Sequence, residues 1–71
     1  MTEEQVRKVI MDVRKALSNR EFDERYLSQV VKNYALYGGV REPEKQYEII
    51  KRMKEEGIIM KDQQTNLYRA R

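Results

Sequence analysis

The sequence predicts a mainly α fold closed by a C-terminal β-hairpin, an α+β domain of three helices and two strands. Apolar residues recur at helical spacing in three separate segments. Each segment opens on a capping residue or a proline, and each ends at a turn or a glycine. The last stretch abandons that period for two short apolar runs on either side of a polar turn.

The first helix is expected near residues 3–18. Thr2 and Gln5 have the spacing of a capping box, in which a hydroxyl accepts from the third backbone N–H and the glutamine reaches back. Val6, Val9, Ile10, Val13, Ala16 and Leu17 then form one stripe. Arg20-Glu21-Phe22 reads as a short link, with Phe22 placed to act as a hydrophobic staple. Asp23 caps a second helix near 24–37, and Glu24 suits the positive end of its dipole. Tyr26, Leu27, Val30, Val31, Tyr34 and Tyr37 are its expected apolar side. Gly38-Gly39 stops it, because glycine accepts the left-handed conformation that ends many helices.

Val40-Arg41-Glu42 is a connector. Pro43 suits the first turn of a third helix near 43–56, where its missing N–H costs nothing. Tyr47, Ile49, Ile50 and Met53 are its apolar side and Gly57 its end. Ile58 to Lys61 and Leu67 to Arg71 are the hairpin strands, across 58–70, with Asp62-Gln63-Gln64-Thr65-Asn66 as the turn. Tyrosines 26, 34, 37, 47 and 68 read as core residues with their hydroxyls at the edge. Ile50 and Val13 are expected to be buried.

Seventy-one residues make one domain, spanning 1–71, with a thin core. Cysteine and histidine are both absent, which removes disulfides, thiolate metal sites and the usual general bases. Gly38-Gly39 follows a helix rather than a strand, so it is not a phosphate loop, and Ser18 and Ser28 lie in no nucleophile motif. The chain is expected not to be an enzyme and to need no cofactor. It lacks the apolar runs of a signal peptide or a membrane span, so a cytoplasmic setting without membrane contact is expected. Charged residues make up 38% of the chain, with 15 Lys and Arg against 12 Asp and Glu, for a net charge of +3. That balance permits a nucleic-acid or acidic-protein partner. Dense Lys, Glu and Arg without cysteine fit a thermophilic source, while Gln63, Gln64, Asn66 and four methionines point the other way.

Ile50-Lys51-Arg52-Met53-Lys54-Glu55-Glu56-Gly57-Ile58-Ile59 resembles the end of a recognition helix in winged helix-turn-helix proteins, and Ala35 to Val40 is similar to their helix-turn junction. The resemblance covers roughly Asp23 to Arg71. It implies a third helix that packs one face on the others and offers the second to the major groove, with a wing on the flanking phosphates. On that basis duplex DNA is the expected partner of a transcription or replication regulator. Arg41, Lys45 and Gln46 would lie at the helix start, Lys51 and Arg52 along it, and Lys61, Gln63, Gln64, Arg69 and Arg71 on the wing.

The third helix also carries Glu44, Glu48 and Glu55 in a row, and residues 42–57 sum to −1. Carboxylates are repelled by phosphates unless paired or reading a cytosine amino group. Pairs of Glu48 with Arg52 and Lys51 with Glu55 would make this a solvated face. A protein-interaction module on the same scaffold is therefore the alternative. The first helix sets Arg7, Lys8, Arg14 and Lys15 around Met11, a surface suited to an acidic protein partner. Met11 and Leu36, both off the stripes, also point to a homodimer.

Overall fold

The computed structural model of the chain describes residues 2–71. Its elements run α1 (Glu3–Ala16), β1 (Glu21–Phe22), α2 (Glu24–Tyr37), α3 (Pro43–Glu55), β2 (Ile59–Lys61) and β3 (Tyr68–Ala70). Three helices and a small antiparallel sheet of order β1-β3-β2 share one core.

Local chemistry explains most of the boundaries. The Thr2 hydroxyl accepts from the Gln5 N–H at 3.2 Å, and the Thr2 N–H donates to Gln5 Oε1 at 2.8 Å, completing the capping box. Asp23 Oδ1 accepts from the Tyr26 N–H at 2.8 Å and caps α2. Pro43 opens α3, while Glu42 before it makes no side-chain cap.

Helices α2 and α3 end alike. The Val40 N–H reaches the Ala35 carbonyl and the Ile58 N–H reaches the Met53 carbonyl, with Gly39 and Gly57 in the left-handed region between. Both glycine N–H groups bond back to carbonyls of the last turn, so the orphan carbonyls are satisfied while the chain reverses. A Cβ on Gly39 would have room, its nearest neighbour being Gln5 Nε2 at 3.7 Å, but φ is +84°. Gly39→Ala is thus expected to destabilise by about 1 kcal/mol from backbone strain alone, and Gly39→Asn by less, since asparagine tolerates this region. Equilibrium urea unfolding of the two variants checks this; equal stabilities for parent and Gly39→Ala would refute it.

The core follows the helical stripes, with two corrections of phase. Leu27, Val30, Val31 and Ala35 are the buried residues of α2, and Ile49, Ile50 and Met53 those of α3. Tyr37 and Tyr47 were expected in the core but are 92% and 69% exposed, and Tyr26 is also exposed. The buried line of α2 runs from Leu27 through Val31 to Ala35, which carries Tyr26 and Tyr37 to its rim. On α3 the burial of both Ile49 and Ile50 turns Tyr47 outward. Val40, expected only as connector, is buried where the α2–α3 turn closes. Val13 and Ile50 are buried as expected.

The sheet holds the third correction. Residues 21–22, expected as a link, form β1 on the open edge of β3, with Phe22 opposite Tyr68 and Glu21 opposite Arg69. Phe22 is buried and its ring stacks on Tyr68 with centroids 6.1 Å apart. The hairpin turn takes its left-handed residue from Asn66, at φ 61°, where no glycine is present. Asp62 Oδ1 accepts from the Gln64 N–H at 2.8 Å, and the Asp62 N–H donates to the Leu67 carbonyl at 2.8 Å. These bonds fix the turn geometry that glycine would otherwise supply. Among the described residues no helix is long and apolar enough to cross a membrane.

Candidate nucleic-acid interface

Two surfaces carry the residues expected to meet DNA: the outward side of α3 and the β2–β3 hairpin that follows it. α3 packs against both α1 and α2 and against β2. The line opposite its buried residues carries Glu44, Glu48, Lys51 and Glu55, all exposed, with exposed Tyr47 beside it.

The ten expected residues differ in exposure and in the partners they already hold. Arg41, Lys51, Lys61, Gln63, Gln64, Arg69 and Arg71 are exposed. Lys45 is half-buried on the flank of α3, 3.8 Å from Glu48. Lys51 stands at 4.0 Å from Glu55, the pairing expected from the sequence. Such exposed pairs contribute little to stability and are screened by salt.

Three residues have structural work that the sequence did not show. Gln46 is half-buried and its Nε2 donates to the Val40 carbonyl at 3.2 Å, tying α3 to the turn before it. Arg52 lies between α1 and α3 rather than on the outward line. Its Nη1 donates to Glu3 Oε2 at 3.0 Å and its Nε to Glu56 Oε2 at 2.7 Å, in place of the expected pair with Glu48. The Arg69 guanidinium meets Glu21 at 2.7 Å across β1–β3. Glu21, Arg69 and Met60 form one row on the outer face of the sheet, so the strand missed in the sequence neutralises one wing cation.

The remaining wing cations are differently placed. Lys61 lies over the Tyr68 ring at 5.8 Å, and Lys54 over the same ring at 5.2 Å. Lys54 also holds Glu24 at 3.0 Å. No ion pair within 4.0 Å occupies Lys61 or Arg71 among the described residues. Gln63, Gln64 and Thr65 at the hairpin tip are exposed, uncharged hydrogen-bonding groups.

The ion pairs shift titrations in a consistent direction. Hydrogen bonding and charge from Arg52 hold the Glu3 carboxyl below its usual range. The Tyr68 hydroxyl and then Lys54 do the same for Glu24. Burial works to lower Lys54, but Glu24 and Tyr68 outweigh it and hold its ammonium above the usual range. Glu21 likewise raises Arg69. A carboxylate lowered in the folded state contributes stability that is complete above its unfolded value and is lost as pH falls through the native one. With no histidine to titrate between pH 5 and 8, the melting temperature is expected to be flat from about pH 6 to 8. It should fall once pH drops below the ordinary glutamate value of about 4.5. Calorimetric scans across this range check it, and an undiminished melting temperature at pH 3 would contradict it.

A second surface was expected on α1. Arg7, Lys8, Arg14 and Lys15 are exposed around Met11, itself 62% exposed. Ser18 and Arg71 join Met11, Arg14 and Lys15 in lining one shallow depression, because Arg14 Nε donates to the Arg71 carbonyl at 2.7 Å. The C-terminal arginine thus connects the hairpin to the cationic side of α1. Leu36 is exposed beside Tyr37 and Asn33 on α2. Compared with known protein families, curated proteins and solved structures, the chain matches none of them.

Proposed function

We propose that this chain is a non-catalytic protein that binds duplex DNA through its hairpin and the start of α3, in the manner of a winged helix-turn-helix. The observation that carries this reading is the hairpin. Lys61 beside the turn and Arg71 at the base are exposed without ion-pair partners, and Gln63, Gln64 and Thr65 offer uncharged donors at the tip. Such a set suits phosphate oxygens, which are contacted by cations and neutral donors alike. The order of helices supports the same reading, since α3 packs one side on α1 and α2 and leaves the other open directly before the hairpin.

The electrostatics of α3 limit how the duplex is met. Glu44, Glu48 and Glu55 against Lys51 make its outward line acidic. A deep seat in the major groove would set those carboxylates beside phosphate walls. Contacts from α3 are therefore confined to its start, where Arg41 is exposed and Lys45 flanks the helix. Binding dominated by phosphates is weakly sequence-selective and steeply salt-dependent, which fits a regulator or a DNA-coating protein. Fluorescence anisotropy of labelled duplexes at two salt concentrations tests the proposal. No detectable binding at low salt by a folded sample would overturn it, because even non-specific binders reach about 10⁻⁴–10⁻⁶ M at physiological salt.

The acidic line on α3, with Tyr47 exposed beside it, favours a second reading: a protein-interaction module on the same scaffold. That reading expects no duplex binding and a partner captured through α3.

A further inference from the structure

The two outward helix faces of this molecule are opposite in charge. On α1, Arg7, Lys8, Arg14 and Lys15 surround Met11, with Glu3 and Glu4 acidic in the first turn. On α3, Glu44, Glu48 and Glu55 outnumber Lys51, with Tyr47 at the margin. Each face has an exposed apolar side chain, Met11 at 62% and Tyr47 at 69%. Both faces lie opposite the core-facing stripes of their own helices, so they cannot meet within one chain.

We propose that α1 of one copy docks on α3 of a second copy, cations against carboxylates with Met11 and Tyr47 between them. The intramolecular pairs on these faces do not oppose this. Arg7–Glu3 and Lys45–Glu48 stand at 3.8 Å and Lys51–Glu55 at 4.0 Å, all solvent-exposed. Loose pairs of that kind exchange partners at little cost. Among the described residues Lys8 and Lys15 have no carboxylate partner at all.

The geometry sets the form of the assembly. A contact between two different faces is heterologous: it leaves a free α1 on one copy and a free α3 on the other, so growth continues into a ring or a filament. Helices of 14 and 13 residues are each only about 20 Å long at 1.5 Å per residue. Their joint area falls below that of a stable interface, so the association is weak and reversible. It is also strongly screened, since at about 0.15 M salt charges act over only about 8 Å. This inference goes beyond the DNA reading. It uses the outward lines of α1 and α3, Glu44 at the start of α3 included, and it leaves Lys61 exposed in every copy.

Charge exchange tests it. Sedimentation equilibrium of the full chain at low salt is expected to show mean mass rising with concentration, with affinity falling at least about tenfold at 0.5 M salt. Lys8→Glu with Lys15→Glu makes both faces acidic, and Glu48→Lys with Glu55→Lys makes both basic. Each double variant alone is expected to lose association about tenfold or more. Their mixture should regain it, and a chain carrying all four substitutions should associate like the parent. All four positions are exposed, and circular dichroism with melting curves confirms folding before each run. A parent that stays monomeric at millimolar concentration in low salt would overturn the proposal. So would either double variant associating alone like the parent, or a mixture that fails to recover. Duplex affinity measured in the same samples separates this from the DNA reading: loss of Lys61, which lies over Tyr68 and off both faces, should weaken DNA binding and leave self-association intact.

Discussion

Leu27→Ala is expected to destabilise the domain by about 3–4 kcal/mol, while Leu36→Ala, one residue type on the same helix, should change stability by less than about 0.5 kcal/mol. Leu27 is fully buried and Leu36 is 45% exposed. Truncating the first removes a side chain from the shared hydrophobic core and leaves a void that a close-packed interior fills poorly. Truncating the second removes surface that water already reaches. A 71-residue chain has a total stability of about 4–10 kcal/mol at ordinary per-residue values. One central truncation therefore consumes a large share of it. No disulfide shores up the remainder, because the chain has no cysteine. Val13→Ala and Ile50→Ala should cost about 2–4 kcal/mol, both residues being buried. Urea unfolding of the set gives the ranking directly. If Leu27→Ala unfolds at the parent's midpoint, the placement of α2 against the core is wrong.

What could be read in advance was local. Thr2 with Gln5, Asp23, Gly39, Pro43 and Gly57 lie within a few residues of the groups they satisfy, so their spacing shows their role. The hairpin was legible for the same reason, as apolar pairs around a polar turn. What escaped was tertiary. β1 is two residues long, too short to show a period, and exists because β3 offers it an edge far along the chain. Phase, not residue size, decides burial on these helices: Ala35 is buried on the core-facing line of α2, while the larger Tyr37 projects into solvent.

The candidate site suffered more than the fold. Arg52, Arg69 and Gln46 look like free recognition groups when read along the chain. Their partners Glu3 and Glu21 lie 49 and 48 positions away, and the partner of Gln46 is a backbone carbonyl. Charge counted along a sequence overstates the charge available to a ligand whenever folding supplies the counter-ion. Here that leaves Arg41, Lys61 and Arg71 as the exposed cations among the ten with no ion pair within 4.0 Å among the described residues.

That distinction gives the DNA proposal its sharpest expectation. Neutralising Lys61 and Arg71 together should weaken binding to every duplex alike and reduce the slope of log affinity against log salt by about 2. Each lost phosphate contact abolishes the release of about 0.9 counterion. Arg69→Ala, equal in formal charge, should reduce the slope by clearly less than 1, because Glu21 already meets its guanidinium at 2.7 Å. Glu21→Gln should do the reverse: it frees Arg69 to reach a phosphate, so affinity and slope both rise. Glu48→Lys should also strengthen binding if α3 lies near the duplex, since it removes a carboxylate that phosphates repel. Changes at Gln46 are expected to act through stability rather than sequence preference, because its amide is committed to the Val40 carbonyl. Salt titrations by anisotropy on two unrelated duplexes decide the matter. Equal losses from Arg69→Ala and Arg71→Ala would show that the Glu21 pair does not silence Arg69. An unchanged slope after removal of both Lys61 and Arg71 would take the hairpin out of the interface.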